Sequence, residues 1–165
     1  MNIIKKYKNS RLRKKDYISY LRSKGITIGD NCIISHEYSI IDFFAPFLIT
    51  IGNNVCISSG NTILIHDYSR CVVSRLKGNV LGYGGPISIG NNVFIGMHVT
   101  ILPNTIIEDN VIIGSNSVVK GTLPSGYVYC GNPARKICTI AEYEQKREKK
   151  QIIEAILLKI RICRN

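Results

Sequence analysis

An aliphatic residue returns at every sixth position of this chain between residues 89 and 119. The series consists of Ile89, Ile95, Ile101, Ile107, Ile113 and Val119. No α-helix has this period, because residues six apart do not share a face when a turn holds about 3.6 residues. A hexapeptide period instead predicts a parallel β-helix, in which each unit supplies one short strand and one corner and three units close one coil.

Other places of the repeat are patterned as well. The fifth place holds Val93, Val99, Thr105, Val111, Ser117 and Leu123. The fourth place holds Asn92, His98, Asn104, Asn110 and Asn116. Asn tolerates the left-handed backbone conformation better than most residues, so the fourth place is predicted to form the corner of each unit.

The same register reappears upstream in two blocks. Its aliphatic places are Ile28, Ile34 and Ile40, then Ile51, Ile57 and Ile63. His66 falls in the corner slot of the Ile63 unit. Either a structural or a functional role would explain a histidine there, because His is also enriched in the left-handed conformation. Between Ile40 and Ile51 the register slips, and Pro46 is predicted to mark a bulge or corner there.

The chain carries the repeat, an HD pair, a loop and a GNPAR ending in that order. The segments are IGNNVCISSGNTILIHDYS and, after the loop, PISIGNNVFIGMHVTILPNTIIEDNVIIGSNSVVKGTLPSGYVYCGNPARKI. From about Gly25 to Ile137 this arrangement resembles the hexapeptide-repeat acyltransferases, closest to the O-acetyltransferases of bacterial surface polysaccharides and to the maltose and galactoside acetyltransferases. The resemblance implies an all-β solenoid with a left-handed coil, and a homotrimer that binds coenzyme A between neighbouring prisms.

The chain is predicted to divide into three parts. Residues 1–25 form a basic segment and a short helix that closes the first coil. Residues 26–138 form the left-handed β-helix acyltransferase domain, from which a loop without hexapeptide register is extruded at residues 67–86. Residues 139–165 form a C-terminal amphipathic helix.

Both helices have ends that can be placed in the sequence. Asp16 is predicted to cap the first helix and Gly25 to end it. Thr139 and Glu142 have the spacing of a capping box for the C-terminal helix. The apolar stripe of that helix consists of Ile152, Ile153, Ile156, Leu157 and Ile160. Packing against the coil or another subunit is predicted for the stripe, and contact with a membrane surface is the alternative.

The net charge of +11 arises from 22 Lys and Arg residues against 11 Asp and Glu. A nucleic-acid ligand is disfavoured, because the basic segments lack stacking aromatics, whereas basic termini suit peripheral contact with the inner face of the cell membrane. No apolar run approaches the ~20 residues of a membrane span or forms a signal core, so a cytoplasmic location is predicted. The six cysteines form no CxxC pair and are predicted to be reduced and structural.

Acyl transfer to a sugar requires a positioned base, because a hydroxyl is a poor nucleophile at neutral pH. Imidazole suits this task, and the resemblance places the catalytic histidine of the family's HD or HP motif at His66. Asp67 is predicted to orient the imidazole, although adjacent residues of a strand point in opposite directions. His98 is predicted to be a neighbour of the active site, in the equivalent corner slot of a later coil, and His36 to be a surface residue.

The resemblance also assigns residues to acetyl-CoA, the expected acyl donor. An oxyanion needs a preorganised donor, and residue matching places that backbone N–H at Met97. Coenzyme A contacts are expected at Met97, Ser115, Lys120, Gly121 and Arg135. Lys120 and Arg135 fit because coenzyme A carries phosphates, whereas Ser115 and Gly121 would be ordinary turn residues without the resemblance.

The loop after His66 is expected to help cover the acceptor site, as it does in the family. Arg70, Arg75 and Lys77 could pair with an acidic sugar, but surface charge is the favoured interpretation of all three. Ala45 stands where related polysaccharide enzymes often carry an acidic residue, and this departure leaves the acceptor open.

The sequence therefore predicts an acetyl-CoA-dependent O-acetyltransferase that acts on a sugar hydroxyl in capsule, lipopolysaccharide or other surface polysaccharide biosynthesis. A sugar N-acetyltransferase and a serine-type acetyltransferase are the alternatives within the class. A γ-type carbonic anhydrase and a noncatalytic scaffold share the coil, but His36, His66 and His98 lack the close HxxxxH spacing of such a zinc site, so no metal is predicted. The acceptor sugar, and whether it is free, nucleotide-linked or lipid-linked, does not follow from the sequence.

Overall fold

A computed structural model describes residues 12, 13, 15–79 and 82–150. Its helices include α1 (Tyr17–Ser23), α2 (Arg70–Lys77) and α3 (residues 140–150), and a 3₁₀ turn spans Pro46–Leu48. The strands in chain order are β1 (Thr27–Ile28), β2 (Ile33–Ile34), β3 (Ile40–Ile41), β4 (Ile49–Ile51), β5 (Cys56–Ile57), β6 (Thr62–Ile63), β7 (His66–Asp67), β8 (Tyr83–Gly84), β9 (Ile87–Ile89), β10 (Val93–Ile95), β11 (Thr100–Ile101), β12 (Thr105–Ile107), β13 (Val111–Ile113), β14 (Val118–Val119), β15 (Thr122–Leu123), β16 (Tyr127–Cys130) and β17 (Arg135–Thr139).

Three sheets, which we call faces A, B and C, surround one narrow core. Face A has the strand order β1-β4-β9-β12-β15, and face C has the order β3-β6-β11-β14. Face B has the order β2-β5-β10-β13-β16 and ends with β17, which is antiparallel to β16. Within each face, parallel strands pair one coil apart, as Ile95 does with Ile113. This arrangement is the β-helix that the six-residue period predicts.

The repeated aliphatic side chains fill the interior of the coil. The series from Ile89 to Val119 is at most 1% exposed, and the fifth-place residues Thr105 and Ser117 are buried beside it. The two buried hydroxyls donate to the carbonyls of Leu102 and Gly114, each at 2.6 Å, so no polar group is left without a partner in this column. The buried aliphatic column provides the hydrophobic contacts that hold successive coils together.

The corners have the left-handed backbone that the Asn series predicts. The five fourth-place residues from Asn92 to Asn116 have φ angles between 55° and 59°. His98 is one of them, so a backbone preference accounts for its position. The prediction of a corner at His66 is wrong, because His66 lies in the extended strand β7, where the chain leaves the coil.

The upstream register differs from the prediction at Ile40. Ile40 is 62% exposed, whereas the next residue, Ile41, is 9% exposed and pairs with Ile63. One additional residue shifts the register here, because Tyr38 rather than Glu37 takes the left-handed conformation, with φ of 54°. The register therefore slips before Ile40 as well as in the predicted interval, because Ile41 and Ile51 are ten residues apart instead of six and the 3₁₀ turn Pro46–Leu48 lies between them.

Helix α1 closes the first coil with the predicted N-cap. The side chain of Asp16 accepts a hydrogen bond from the N–H of Ser19 at 3.0 Å. Leu21 is fully buried in the core, and Gly25 follows the helix with φ of 101°. The helix thereby covers apolar rungs that would otherwise be exposed at the end of the solenoid.

Helix α3 begins with the predicted capping box. The carboxylate of Glu142 accepts from the N–H of Thr139 at 2.8 Å, and the N–H of Glu142 donates to the Thr139 hydroxyl at 3.2 Å. The bonds from the N–H and hydroxyl of Thr139 lower the pKa of the Glu142 carboxyl. The predicted apolar stripe at residues 152–160 lies outside the described residues. Within the described ranges, no helix combines the length and apolar character needed to span a bilayer.

Candidate active site

The segment after His66 leaves the coil between two paired strands. β7 is antiparallel to β8, with His66 opposite Gly84, and α2 lies between the two strands. The segment predicted as a loop without hexapeptide register contains this helix, which ends where Gly78 takes a φ of 83°. Because β7 and β8 tie both ends of the excursion together, His66 is held at its base rather than on a free loop.

The imidazole of His66 contacts the carboxylate of Asp42 from the preceding coil. Nδ1 of His66 is buried and faces Oδ2 of Asp42. The carboxylate is held by the backbone, because Oδ1 accepts from the N–H of Phe44 at 2.9 Å and Oδ2 from the N–H of Ile65 at 3.3 Å. A carboxylate in contact with Nδ1 favours a proton on that nitrogen and leaves Nε2 to exchange protons with a substrate.

Asp67 is adjacent to His66, but its carboxylate is engaged elsewhere. Oδ1 of Asp67 accepts from the hydroxyl of Ser69 at 2.5 Å and from its N–H at 2.9 Å. These bonds, with smaller contributions from the charges of His66 and Lys120, hold the pKa of Asp67 below its ordinary value. The structure brings Asp42 rather than Asp67 to the imidazole, because successive residues of β7 point in opposite directions.

A cavity of about 340 Å³ opens beside His66. Its lining consists of Phe44, His66, Asp67, Tyr68, Arg70, Gly82, Tyr83 and Gly84. The ring of Tyr68 meets the imidazole edge-on with centroids 4.8 Å apart, and the ring of Phe44 lies 5.1 Å away on a tilt. Aromatic walls around a few polar groups are typical of sites for small organic molecules.

Two of the predicted binding residues lie in the same corner of the prism as His66. Lys120 and Gly121 follow β14 and precede β15, so they lie between faces C and A, where β7 also begins. Nζ of Lys120 is 6.0 Å from the ring centroid of Tyr83, a residue of the cavity wall. Gly121 has φ of 77°, and nothing lies within 4 Å of the space a Cβ would occupy.

The other predicted binding residues lie at a second corner, between faces B and C. Met97 and Ser115 occupy this corner on consecutive coils, and the N–H of Met97 donates to the Ser115 hydroxyl at 3.1 Å. Gly96 permits this close approach, since a Cβ there would lie 2.7 Å from the backbone nitrogen of Ser115. Arg135 is exposed beside this corner, in β17 opposite Cys130. Within one chain, the residues of the predicted site therefore lie at two different corners of the prism.

The other two histidines lie apart from the cavity. His36 packs against Tyr17, with ring centroids 5.6 Å apart. His98 lies over Gly60 at the corner between faces B and C, so it is not in the slot of His66, contrary to the prediction. In the part of the chain that the structure describes, no group of three or more His, Cys, Asp or Glu side chains is placed to hold a metal ion.

Comparisons with known proteins agree with this architecture. Residues 86–121 match the family described as bacterial transferase hexapeptide (six repeats). The chain is 39% identical over 127 residues to Protein CapG of Staphylococcus aureus, covering 76% of this chain and 73% of that protein. It is 35% identical over 129 residues to the galactoside O-acetyltransferase of Escherichia coli strain K12, covering 78% of this chain and 60% of that enzyme.

A solved structure agrees as well. A hexapeptide-repeat containing acetyltransferase from Vibrio cholerae O1 biovar eltor, complexed with acetyl coenzyme A, has a TM-score of 0.61 and 28% identity. The match covers 71% of this chain and 61% of that chain. Fold and sequence together define an acyltransferase built on hexapeptide repeats. The chain belongs to the hexapeptide-repeat acetyltransferase family, and its coil is the left-handed parallel β-helix of that family.

Asp42 and the aromatic walls of the cavity are the features that sequence reasoning missed. A signal for Asp42 exists in the coil itself, because strands one coil apart lie side by side. Once Ile41 is paired with Ile63, Asp42 falls beside the residues that lead into β7. The pairing of Ile40 with Ile63 in the predicted register hides this relationship.

Proposed function

We propose that this protein is an acetyl-CoA-dependent O-acetyltransferase that acetylates a sugar hydroxyl during the biosynthesis of a surface polysaccharide. The observation that carries the proposal is the Asp42–His66 pair at the wall of an aromatic cavity. An imidazole in contact with a carboxylate, next to a cavity of this size, suits deprotonation of a small hydroxyl-bearing acceptor. The galactoside O-acetyltransferase among its relatives supports a sugar as that acceptor.

His66 acts in this proposal as the general base. Nε2 takes the proton of the acceptor hydroxyl while the hydroxyl oxygen forms a bond to the thioester carbonyl carbon. The tetrahedral intermediate then expels sulfur as the carbon–sulfur bond breaks. The imidazolium returns the proton to the departing sulfur, so the products are the O-acetylated sugar and the free thiol of coenzyme A. Asp42 stabilises the imidazolium between the two proton transfers, because its carboxylate faces Nδ1.

Met97 is the proposed donor to the oxyanion. Its N–H already donates to a hydroxyl oxygen, that of Ser115, at 3.1 Å. An oxyanion would replace this oxygen as the acceptor when the Ser115 side chain rotates away, and a backbone N–H held by the coil needs little reorganisation. Lys120 and Arg135 are the proposed partners of the coenzyme A phosphates, because an ammonium and a forked guanidinium bind phosphate oxygens well.

A trimer is part of the same proposal. His66 and Lys120 lie at the corner between faces C and A, whereas Met97, Ser115 and Arg135 lie at or beside the corner between faces B and C. In a three-fold ring of parallel prisms, the first corner of one subunit meets the second corner of its neighbour. Each complete site would then combine His66 of one subunit with Met97 of the next, with coenzyme A between them.

Purified protein tests the proposal directly. Acetyl-CoA and a panel of sugars are expected to give free thiol and a singly acetylated sugar by mass spectrometry. Comparison of the surface polysaccharide with and without the gene then identifies the natural acceptor. Thiol release that no tested sugar stimulates, together with an unchanged polysaccharide, would contradict the proposed function.

A further inference from the structure

Arg70 is the basic residue of the excursion that reaches the cavity of His66. It is the first residue of α2 and belongs to the cavity lining, whereas Arg75 and Lys77 of the same helix do not. The returning chain packs on its aliphatic stem, because a Cβ at Gly82 would lie 3.3 Å from Cδ of Arg70. The sequence alone does not distinguish Arg70 from Arg75 and Lys77. The structure places Arg70 at the cavity and the other two outside its lining.

The guanidinium of Arg70 lacks a protein counterion among the described residues. No carboxylate within this part of the chain lies within 4.0 Å of it, and no hydrogen bond engages it. Asp67, the carboxylate of the cavity lining, is bonded to Ser69 and lies in the field of Lys120. Asp42 is committed to His66 and the backbone. Arg70 is thus a cation that faces the cavity with its donors free.

The remaining walls of the cavity are aromatic and exposed. Phe44, Tyr68 and Tyr83 are 76%, 66% and 43% exposed, although large aromatic side chains usually bury most of their area. Exposed apolar groups that cluster around polar ones mark a ligand site. Aromatic walls suit packing against the C–H face of a sugar ring. A negatively charged substituent of that ring would then be bound by Arg70.

We propose that Arg70 binds an anionic group carried by the acceptor sugar, a carboxylate or a phosphate, so that the enzyme selects an acidic sugar over its neutral counterpart. The inference rests on the proposed function, since it places the acceptor in the cavity of His66. A guanidinium offers a planar fork of donors that matches the two oxygens of a carboxylate or phosphate. In this arrangement the aromatic walls orient the sugar ring and His66 deprotonates one of its hydroxyls. Arg70 favours anionic sugars over neutral ones.

Direct binding tests this inference without requiring turnover. Isothermal titration calorimetry compares methyl β-glucuronide, methyl β-glucoside and glucose 1-phosphate on the native protein in the presence of coenzyme A. At least one anionic ligand is expected to bind about tenfold or more tightly than the neutral glucoside, as for a charge-assisted hydrogen bond. Preference for the glucuronide or for the phosphate identifies which anion the site takes.

Two matched variants assign the preference to Arg70. Arg70→Gln is expected to abolish the discrimination between anionic and neutral ligands. Arg75→Gln removes the same charge from the same helix outside the cavity and is expected to retain the discrimination. Equal affinities on the native protein, or equal losses in both variants, would overturn the inference. Thermal unfolding of each variant verifies that the fold is intact.

Acetyl transfer to the same ligands separates this inference from the proposed function. Charge-selective binding that depends on Arg70, without transfer to any sugar, would leave the Arg70 site standing and contradict the proposed function. Transfer at equal kcat/KM to glucuronide, sugar phosphate and glucoside would support the proposed function and overturn the selection of an acidic sugar.

Discussion

Oδ2 of Asp42 faces the buried Nδ1 of His66 across two adjacent coils of the solenoid. Asp42 directly follows β3 and His66 begins β7, so the register of one face brings the two side chains together. The contact selects Nε2 as the ring nitrogen that meets the substrate. It also makes the chemistry of the site depend on a residue far from the HD pair in sequence.

Replacing Asp42 by Asn tests this pairing. Asn retains the shape of the side chain but loses the negative charge that stabilises the imidazolium, so kcat is expected to fall on the order of 100-fold or more. Steady-state kinetics with acetyl-CoA and the acceptor measure the effect.

Asp67→Asn is the matched control, since it changes the neighbouring carboxylate that binds Ser69 instead of His66. It is expected to alter the KM for the acceptor, through the start of α2, more than kcat. A large loss of kcat in Asp67→Asn with near-normal turnover in Asp42→Asn would reverse the two assignments.

His66→Ala is expected to remove acetyl transfer while the coil remains folded. A lost general base reduces turnover by about 100-fold or more, and the partly exposed ring is not part of the buried aliphatic column. Thiol release assays and thermal unfolding measure the two outcomes. Near-normal turnover in this variant would direct attention to His98.

The coil was predictable because its rule is local and repeated. The six aliphatic residues from Ile89 to Val119 all lie inside, and the five corners between them carry Asn or His, so consecutive units have the same geometry. The caps at Asp16 and Thr139 were predictable for the same reason, because a cap depends on residues within one turn.

The orientation of His66 was not predictable from local pattern. Because one residue is added before Ile40, the sequence pattern does not show which side chain of the first coil lies next to the start of β7. A register error of one residue moves every side chain of a strand to the other face. Asp67 was the only acidic neighbour visible in sequence, and alternation along the strand turns it away. The cavity walls were equally hidden, since Phe44 and Tyr83 come from segments without repeat register.

The capping box of α3 gives a prediction for pH. The Thr139 bonds lower the pKa of Glu142, so this carboxylate stabilises the folded state above its ordinary pKa of 4.5. That contribution is lost as the pH falls through the lowered folded-state value. The difference in Tm between the native protein and Glu142→Gln should therefore be present at neutral pH and vanish in acid. A difference that persists unchanged in acid, where both folded and unfolded chains have the carboxyl protonated, would contradict the linkage.

Arg135→Ala should separate binding from catalysis. The side chain is exposed beside the second corner, where it is proposed to meet a phosphate of coenzyme A without touching the reacting carbonyl. Loss of a charge-assisted bond is expected to raise the KM for acetyl-CoA about tenfold to a hundredfold and to leave kcat largely unchanged. Normal affinity for acetyl-CoA with collapsed turnover would remove Arg135 from the coenzyme A site.

Mixed oligomers test whether the two corners act in different subunits. His66→Ala and Arg135→Ala chains, coexpressed in equal amounts, should form trimers in which about a quarter of the sites pair an intact His66 corner with an intact Arg135 corner. Activity at low acetyl-CoA concentration should then exceed that of either variant alone. His66→Ala coexpressed with Asp42→Asn is the control, because both changes affect one corner of one chain and no mixture rebuilds it. Recovery in the control, or its absence in the first mixture despite verified mixed trimers, would contradict a site shared between subunits.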